Sequence, residues 1–138
     1  MSAPVHPVVL RPAAIVPRER GGGARTIPLV NARIGSRQTL SGITEFEPGA
    51  AIALHFHNCE ETVMVLEGAA VAEIDGVEHA VGETDTTWIP AGVPHRFRNA
   101  SATARMRIYW TYASIDANRT IVATGVTTRI DEEHGVAA

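Results

Sequence analysis

Arg105 to Tyr112 alternates without a break: Met106, Ile108, Trp110 and Tyr112 fall on one side, and Arg105, Arg107, Tyr109 and Thr111 on the other. Successive side chains of a strand point to opposite faces, so this stretch is a strand with one apolar face. Glu61 to Leu66 repeats the pattern, with Glu61, Val63 and Val65 on one face and Met64 and Leu66 behind. Ala51 to His57 reads the same way: Ala51, Ala53, His55 and His57 share a face, opposite Ile52, Leu54 and Phe56. An apolar rear of this kind has to be covered. The facing layer of a sandwich or the N-terminal residues are the simple solutions, and a homodimer interface is the expected one.

Turn signals divide the remaining chain into further strands. Thr39 to Phe46 leads into Glu47-Pro48-Gly49, where proline fixes one φ and glycine can take a positive one. Ala69–Ile74 and Val77–Val81 flank Asp75-Gly76, a strong hairpin signal. Trp88-Ile89 runs into the turn Pro90 to Pro94, Ser114 to Asn118 reads as a turn, and Thr120 to Thr128 as a last strand. Thr26 to Val30 contains Pro28, which predicts an edge strand. Residues 1–25 are rich in proline and arginine, allow at most a short strand at Val8-Val9-Leu10, and end in Arg20-Gly21-Gly22-Gly23, which reads as a flexible connection. No internal repeat is visible. The pattern predicts an all-β chain of one domain: an N-terminal extension with edge strands over 1–35, the main body over 36–113, and a C-terminal strand and tail over 114–138, frayed from Asp131.

At 138 residues the chain is long enough to bury a core without disulfides. Its one cysteine, Cys59, excludes an intrachain disulfide, suits a reducing compartment and is expected as a small buried thiol. The formal net charge of -3 gives no electrostatic reason to bind nucleic acid or an anionic membrane. No stretch approaches the roughly 20 apolar residues of a membrane helix, and the first residues lack a basic segment followed by an apolar run, so a cytoplasmic protein is expected. All 12 basic residues are arginine. The absence of lysine removes Schiff-base chemistry.

The chemistry-bearing residues lie on the alternating strands. Residues i and i+2 of a strand share a face at roughly 6.5–7 Å, so His55 and His57 can aim at one point. Glu61 keeps that parity if the strand runs past an irregularity at Asn58, and His95 arrives from another strand after the 90–94 turn. One metal ion fits among them. Phe97 and Asn99 share the parity of His95, and the Asn99 amide is suited to satisfying backbone groups at the strand end. His6, His79 and His134 lie outside this pattern and are expected at the surface.

These residues resemble the two signature motifs of the cupin superfamily. Gly49, His55, His57, Glu61 and Gly68 fall on every fixed position of the first motif, and Pro90, Gly92, His95 and Asn99 complete the end of the second. The second motif departs at its opening, where the family has Gly-Asp and this chain has Thr84-Asp85, which concerns the geometry of a turn and not the ligands. The resemblance covers Gly49 to Asn99 and implies a small single-domain cupin: a six-to-eight-stranded jelly-roll barrel, or double-stranded β-helix, with a three-His, one-Glu metal site. Small cupins commonly dimerise.

The ligand set His55, His57, Glu61 and His95 suits one divalent transition metal, iron, manganese, nickel or zinc, without choosing among them. A metal-dependent, oxygenase-type enzyme acting on a small organic molecule is expected, with a non-redox isomerase, lyase, decarboxylase or cyclase and a non-catalytic barrel that binds a small ligand as the alternatives. A non-redox enzyme needs a general acid or base near the ion, and Tyr112 and Glu60 are the weak candidates. Glu60 has the opposite parity to Glu61 and is expected to face solvent. Ala51, Ala53, Val63, Phe97, Ile108, Trp110 and Tyr112 are the candidate pocket residues, with a small-molecule partner and neither nucleic acid nor membrane.

Overall fold

The alternating stretches pair into two antiparallel sheets, as seen in a computed structural model that describes residues 5–133. In chain order the first strands are β1 (Arg18–Gly21), β2 (Ala24–Pro28), β3 (Leu40–Phe46), β4 (His55–His57), β5 (Glu61–Glu67) and β6 (Ala70–Ile74). They are followed by β7 (Val77–Val81), β8 (Thr86–Ile89), β9 (His95–Asn99), β10 (Met106–Tyr112), β11 (Asn118–Ile121) and β12 (Thr127–Arg129), then by one helical turn, α1 (Ile130–Glu133). One sheet has the order β1-β2-β3-β10-β5-β8 and the other β12-β11-β4-β9-β6-β7. This is the jelly-roll arrangement, with more strands than the six to eight expected because both ends of the chain join the sheets.

β10 lies between β3 and β5. Its apolar side, Met106, Ile108, Trp110 and Tyr112, is buried between the sheets with Val63, Val65, Phe46 and Phe97. Trp110 sits opposite Gly42 of β3, where a Cβ would lie 2.5 Å from the indole ring. Glycine at 42 is therefore what lets Trp110 lie across its neighbour. Outside, Glu45 is only 6% exposed because Arg25 and Arg107, its cross-strand partners, reach it at 2.6 and 2.9 Å. The expected Asp75-Gly76 hairpin joins β6 to β7, with φ of 52° and 79°, both positive as a two-residue hairpin turn requires.

Four sequence expectations change. The Gly21–Gly23 run is no flexible connection: all three glycines take positive φ and turn β1 back onto β2, so Arg20 is fixed in a sheet. β2 is not an edge, because β1 covers it, and Pro28 is harmless as its last residue. The expected strand over 120–128 is a hairpin of β11 and β12. The apolar rears of β4 and β5 belong to different sheets, so Phe56 and Met64 face opposite outsides of the sandwich and form no common patch. Val8 to Leu10 lies outside any strand, and residues 134–138, with most of the expected tail and His134, lie outside the described residues. His6 and His79 are exposed as expected.

The departure at Thr84 leaves a visible trace. Its φ is +70°, the left-handed conformation that glycine adopts freely and a β-branched residue resists.

Candidate metal centre

His55 and His57 stand on β4, His95 opens β9 directly opposite His55, and Glu61 opens β5 in the facing sheet. The four residues therefore meet between the sheets, and each is no more than 5% exposed. One nitrogen from each of the three imidazoles lies within 4.8 Å of the others. The Glu61 Oε1 is 2.9 Å from His95 Nε2 and 3.4 Å from His57 Nε2.

Hydrogen bonds behind the rings set their tautomers. The Nδ1 of His55 is 2.6 Å from the Ala53 carbonyl, that of His57 is 2.8 Å from the Asn118 carbonyl, and that of His95 is 2.8 Å from the Val93 carbonyl. A carbonyl can only accept, so each Nδ1 donates and each neutral ring keeps a lone pair on Nε2. The His57 Nε2 is buried without any hydrogen-bond partner. Lone pairs and a carboxylate facing one another at these distances repel unless a proton or a cation lies between them. Imidazoles tied back to carbonyls are the usual posture of metal ligands, so the donor set fits a divalent transition-metal ion.

Burial, then the neighbouring His95 and His57, lowers the His55 pKa from 6.5 to about 3. The ring is therefore neutral and available as a ligand at physiological pH. For Glu61, burial pushes upward, but the neighbouring His57 and His95 outweigh it and hold the carboxyl at about 2. Tyr112 packs its ring edge-on against His57 at 4.6 Å between centroids. Burial, with the Glu61 charge and hydrogen bond adding to it, keeps that phenol protonated well above its ordinary range.

A cavity of about 20 Å³ opens beside these ligands, lined in part by Val63, Phe97, Ile108, Trp110 and Tyr112. These five were expected there. Ala51 and Ala53 are not: they line a separate outer cleft, and Ile52 takes their place at the cavity. The reason is local. The strand is regular only from His55, residues 52–54 are irregular, and the parity slips between Ile52 and His55. Glu60 is also away from the ligands; it is exposed, and accepts from the Trp88 indole at 2.7 Å. Asn99 acts as expected, its amide nitrogen donating to the carbonyls of Phe46, Glu47 and Ala104. Cys59 is half-buried, and burial raises its pKa. Sequence reasoning missed Arg20, Thr44 and Arg119, which also line the cavity.

The cupin-domain family profile matches residues 42–112. This chain belongs to the cupin family. It is 35% identical over 83 residues to the polyketide synthase CurC of Streptomyces cyaneus, covering 59% of this chain and 53% of that protein. It is 33% identical over 75 residues to the dimethylsulfoniopropionate lyase DddW of Ruegeria pomeroyi, covering 54% and 49%. The cupin thus spans about half the length of these curated relatives. Among solved structures, the polyketide cyclase RemF of Streptomyces resistomycificus superposes with a TM-score of 0.73 over 91% of this chain and 86% of that one, at 18% identity, a likeness of fold. No helix among the described residues is long and apolar enough to cross a membrane.

Proposed function

We propose that this cupin is a metal-dependent enzyme that carries out a non-redox acid–base reaction, a cyclisation or an elimination, on a small organic molecule. One observation carries this: three buried Nε2 lone pairs and the Glu61 carboxylate converge beside a buried, protonated phenol. His55, His57, His95 and Glu61 would hold one divalent transition-metal ion, which supplies Lewis-acid polarisation of a carbonyl. The chain's own groups do the rest. Tyr112 holds a proton at the cavity wall, where it serves as general acid, while Val63, Phe97, Ile108 and Trp110 keep water out.

The names of the relatives support the same direction. Cyclisations of polycarbonyl chains and eliminations next to a carbonyl both develop negative charge on the carbonyl oxygen, which a Lewis acid and a proton donor at that oxygen stabilise. The oxygenase expected from the sequence relies on the same four ligands. Tyr112 favours the non-redox reading because it adds a proton donor to the four ligands that both readings share.

Elemental mass spectrometry on untagged protein, purified without chelator and with iron kept reduced, tests the site, and an oxygen electrode tests the chemistry. About one ion per chain and no dioxygen uptake are expected, with the metal lost and the fold kept when His55→Ala and His95→Ala are combined. Full metal stoichiometry in that double variant refutes the site. Dioxygen consumption with turnover establishes an oxygenase instead, and a chain that takes up no metal under any loading condition is a binding barrel. A homodimer in the cytoplasm is proposed as its state, with sedimentation velocity reading one chain or two.

A further inference from the structure

Two arginines close the cavity, and the acid–base reading leaves them without a task. Arg20, near the end of β1, and Arg119, in β11, line the small cavity beside the metal ligands. With Ile52 they also line an open cleft of about 350 Å³ on the outside, so these three side chains are the partition between the two. Both guanidinium groups hold one carboxylate oxygen. Arg20 Nη2 and Arg119 Nη1 lie 3.0 and 3.1 Å from Glu133 Oε2. The other oxygen of Glu133 accepts from Thr128 Oγ1 and not from the Arg119 Nε. That N–H is buried without a partner, on a residue 7% exposed.

Two physical facts make this more than a clasp for the chain's end. A cavity of about 20 Å³ admits a water or an ion but no organic molecule, so a substrate that meets the ligands has to displace side chains that line it. A guanidinium also presents a planar fork matched to both oxygens of a carboxylate, and Glu133 uses only one tine of Arg119. Buried donors rarely stay unpaired. A carboxylate arriving from the cleft can do what Glu133 cannot, placing one oxygen on Arg119 Nη1 and the other on Nε. With Glu133 displaced, two guanidinium groups face it.

We propose that Arg20 and Arg119 are the binding site for the carboxylate of a small organic acid, and that Glu133 is an internal stopper which that carboxylate displaces. This names the substrate class of the site described above and rests on that site being where the reaction occurs. Arg20 and Arg119 touch the substrate as binding groups, and Glu133 acts through them. The anchored acid would extend past Ile52 toward Tyr112 and the histidines.

Titration calorimetry with succinate, its dimethyl ester and inorganic phosphate tests this on the protein as purified, with metal content measured on each sample. Succinate should bind, about tenfold more tightly to Glu133→Gln and at least tenfold more weakly to Arg119→Met, while the ester and phosphate give no heat. Metal content should be the same in all three proteins. Succinate affinity unchanged in both variants, or phosphate bound in its place, overturns the carboxylate site while leaving the metal site intact. Should Arg119→Met not fold, Glu133→Gln decides alone, and no gain in its affinity overturns the proposal. Arginine-dependent succinate binding to a chain that takes up no metal supports this site and counts against the metal reading.

Discussion

Acid should unfold the metal-free protein through His55, by an amount that can be worked out. The folded ring has a pKa of about 3 against 6.5 for an ordinary histidine. Below pH 6.5 the unfolded chain takes up a proton that the folded chain refuses, so the stability present above pH 6.5 is lost as the pH falls toward 3. One proton of difference changes the unfolding free energy by about 1.4 kcal/mol per pH unit. Between pH 6.5 and 4.5 this amounts to about 2 kcal/mol, and over the whole window to about 4 to 5 kcal/mol. Glu61, held at about 2 against 4.5, loses its own contribution as the pH falls from 4.5 to 2, which is why the comparison stops at 4.5. Urea unfolding followed by tryptophan fluorescence, with metal chelated, reads the effect in the wild type and in His55→Gln. The stability difference between the two should shift against the wild type by about 2 kcal/mol across that span. Parallel pH profiles would show that His55 is not held neutral, and the argument for a preformed ligand would fail with it.

The turn at position 84 offers a gain instead of a loss: Thr84 is exposed and in the left-handed region, so Thr84→Gly should stabilise by about 1 kcal/mol and raise the melting temperature by a few degrees. An equal or lower melting temperature would mean the strain is absent. Gly42→Ala puts a methyl group 2.5 Å from the Trp110 ring and should cost about 1 to 3 kcal/mol, with a change in tryptophan fluorescence that marks the displaced indole. Tyr112→Phe should retain the metal and lower turnover by about 10²- to 10⁴-fold; turnover near wild type would remove Tyr112 as the general acid.

What the sequence disclosed and what it hid follow from the range of the forces involved. The convergence of His55, His57 and Glu61 was legible because strand parity and the framing glycines are local, and His95 because the turn before it is written in prolines and glycine. Parity fails where the backbone is irregular, and residues 52–54 exchanged Ile52 for Ala51 and Ala53 at the cavity for that reason. The Gly21–Gly23 run is not legible because composition is the same for a linker and for a tight hairpin, and only pairing with β2 decides. Arg20 and Glu133 are 113 residues apart. No periodicity links them, and a charged residue near either end of a chain reads as a solvated one until both strands are in place.

That separation along the chain has an evolutionary side. The matched cupin segment, residues 42–112, contains every proposed metal ligand, whereas Arg20, Arg119 and Glu133 all lie outside it. The proposed ligands and the proposed carboxylate clamp therefore lie in different stretches of the sequence. If the clamp admits the substrate, changes in the segments that carry Arg20, Arg119 and Glu133 would retune which acids enter without touching the ligands.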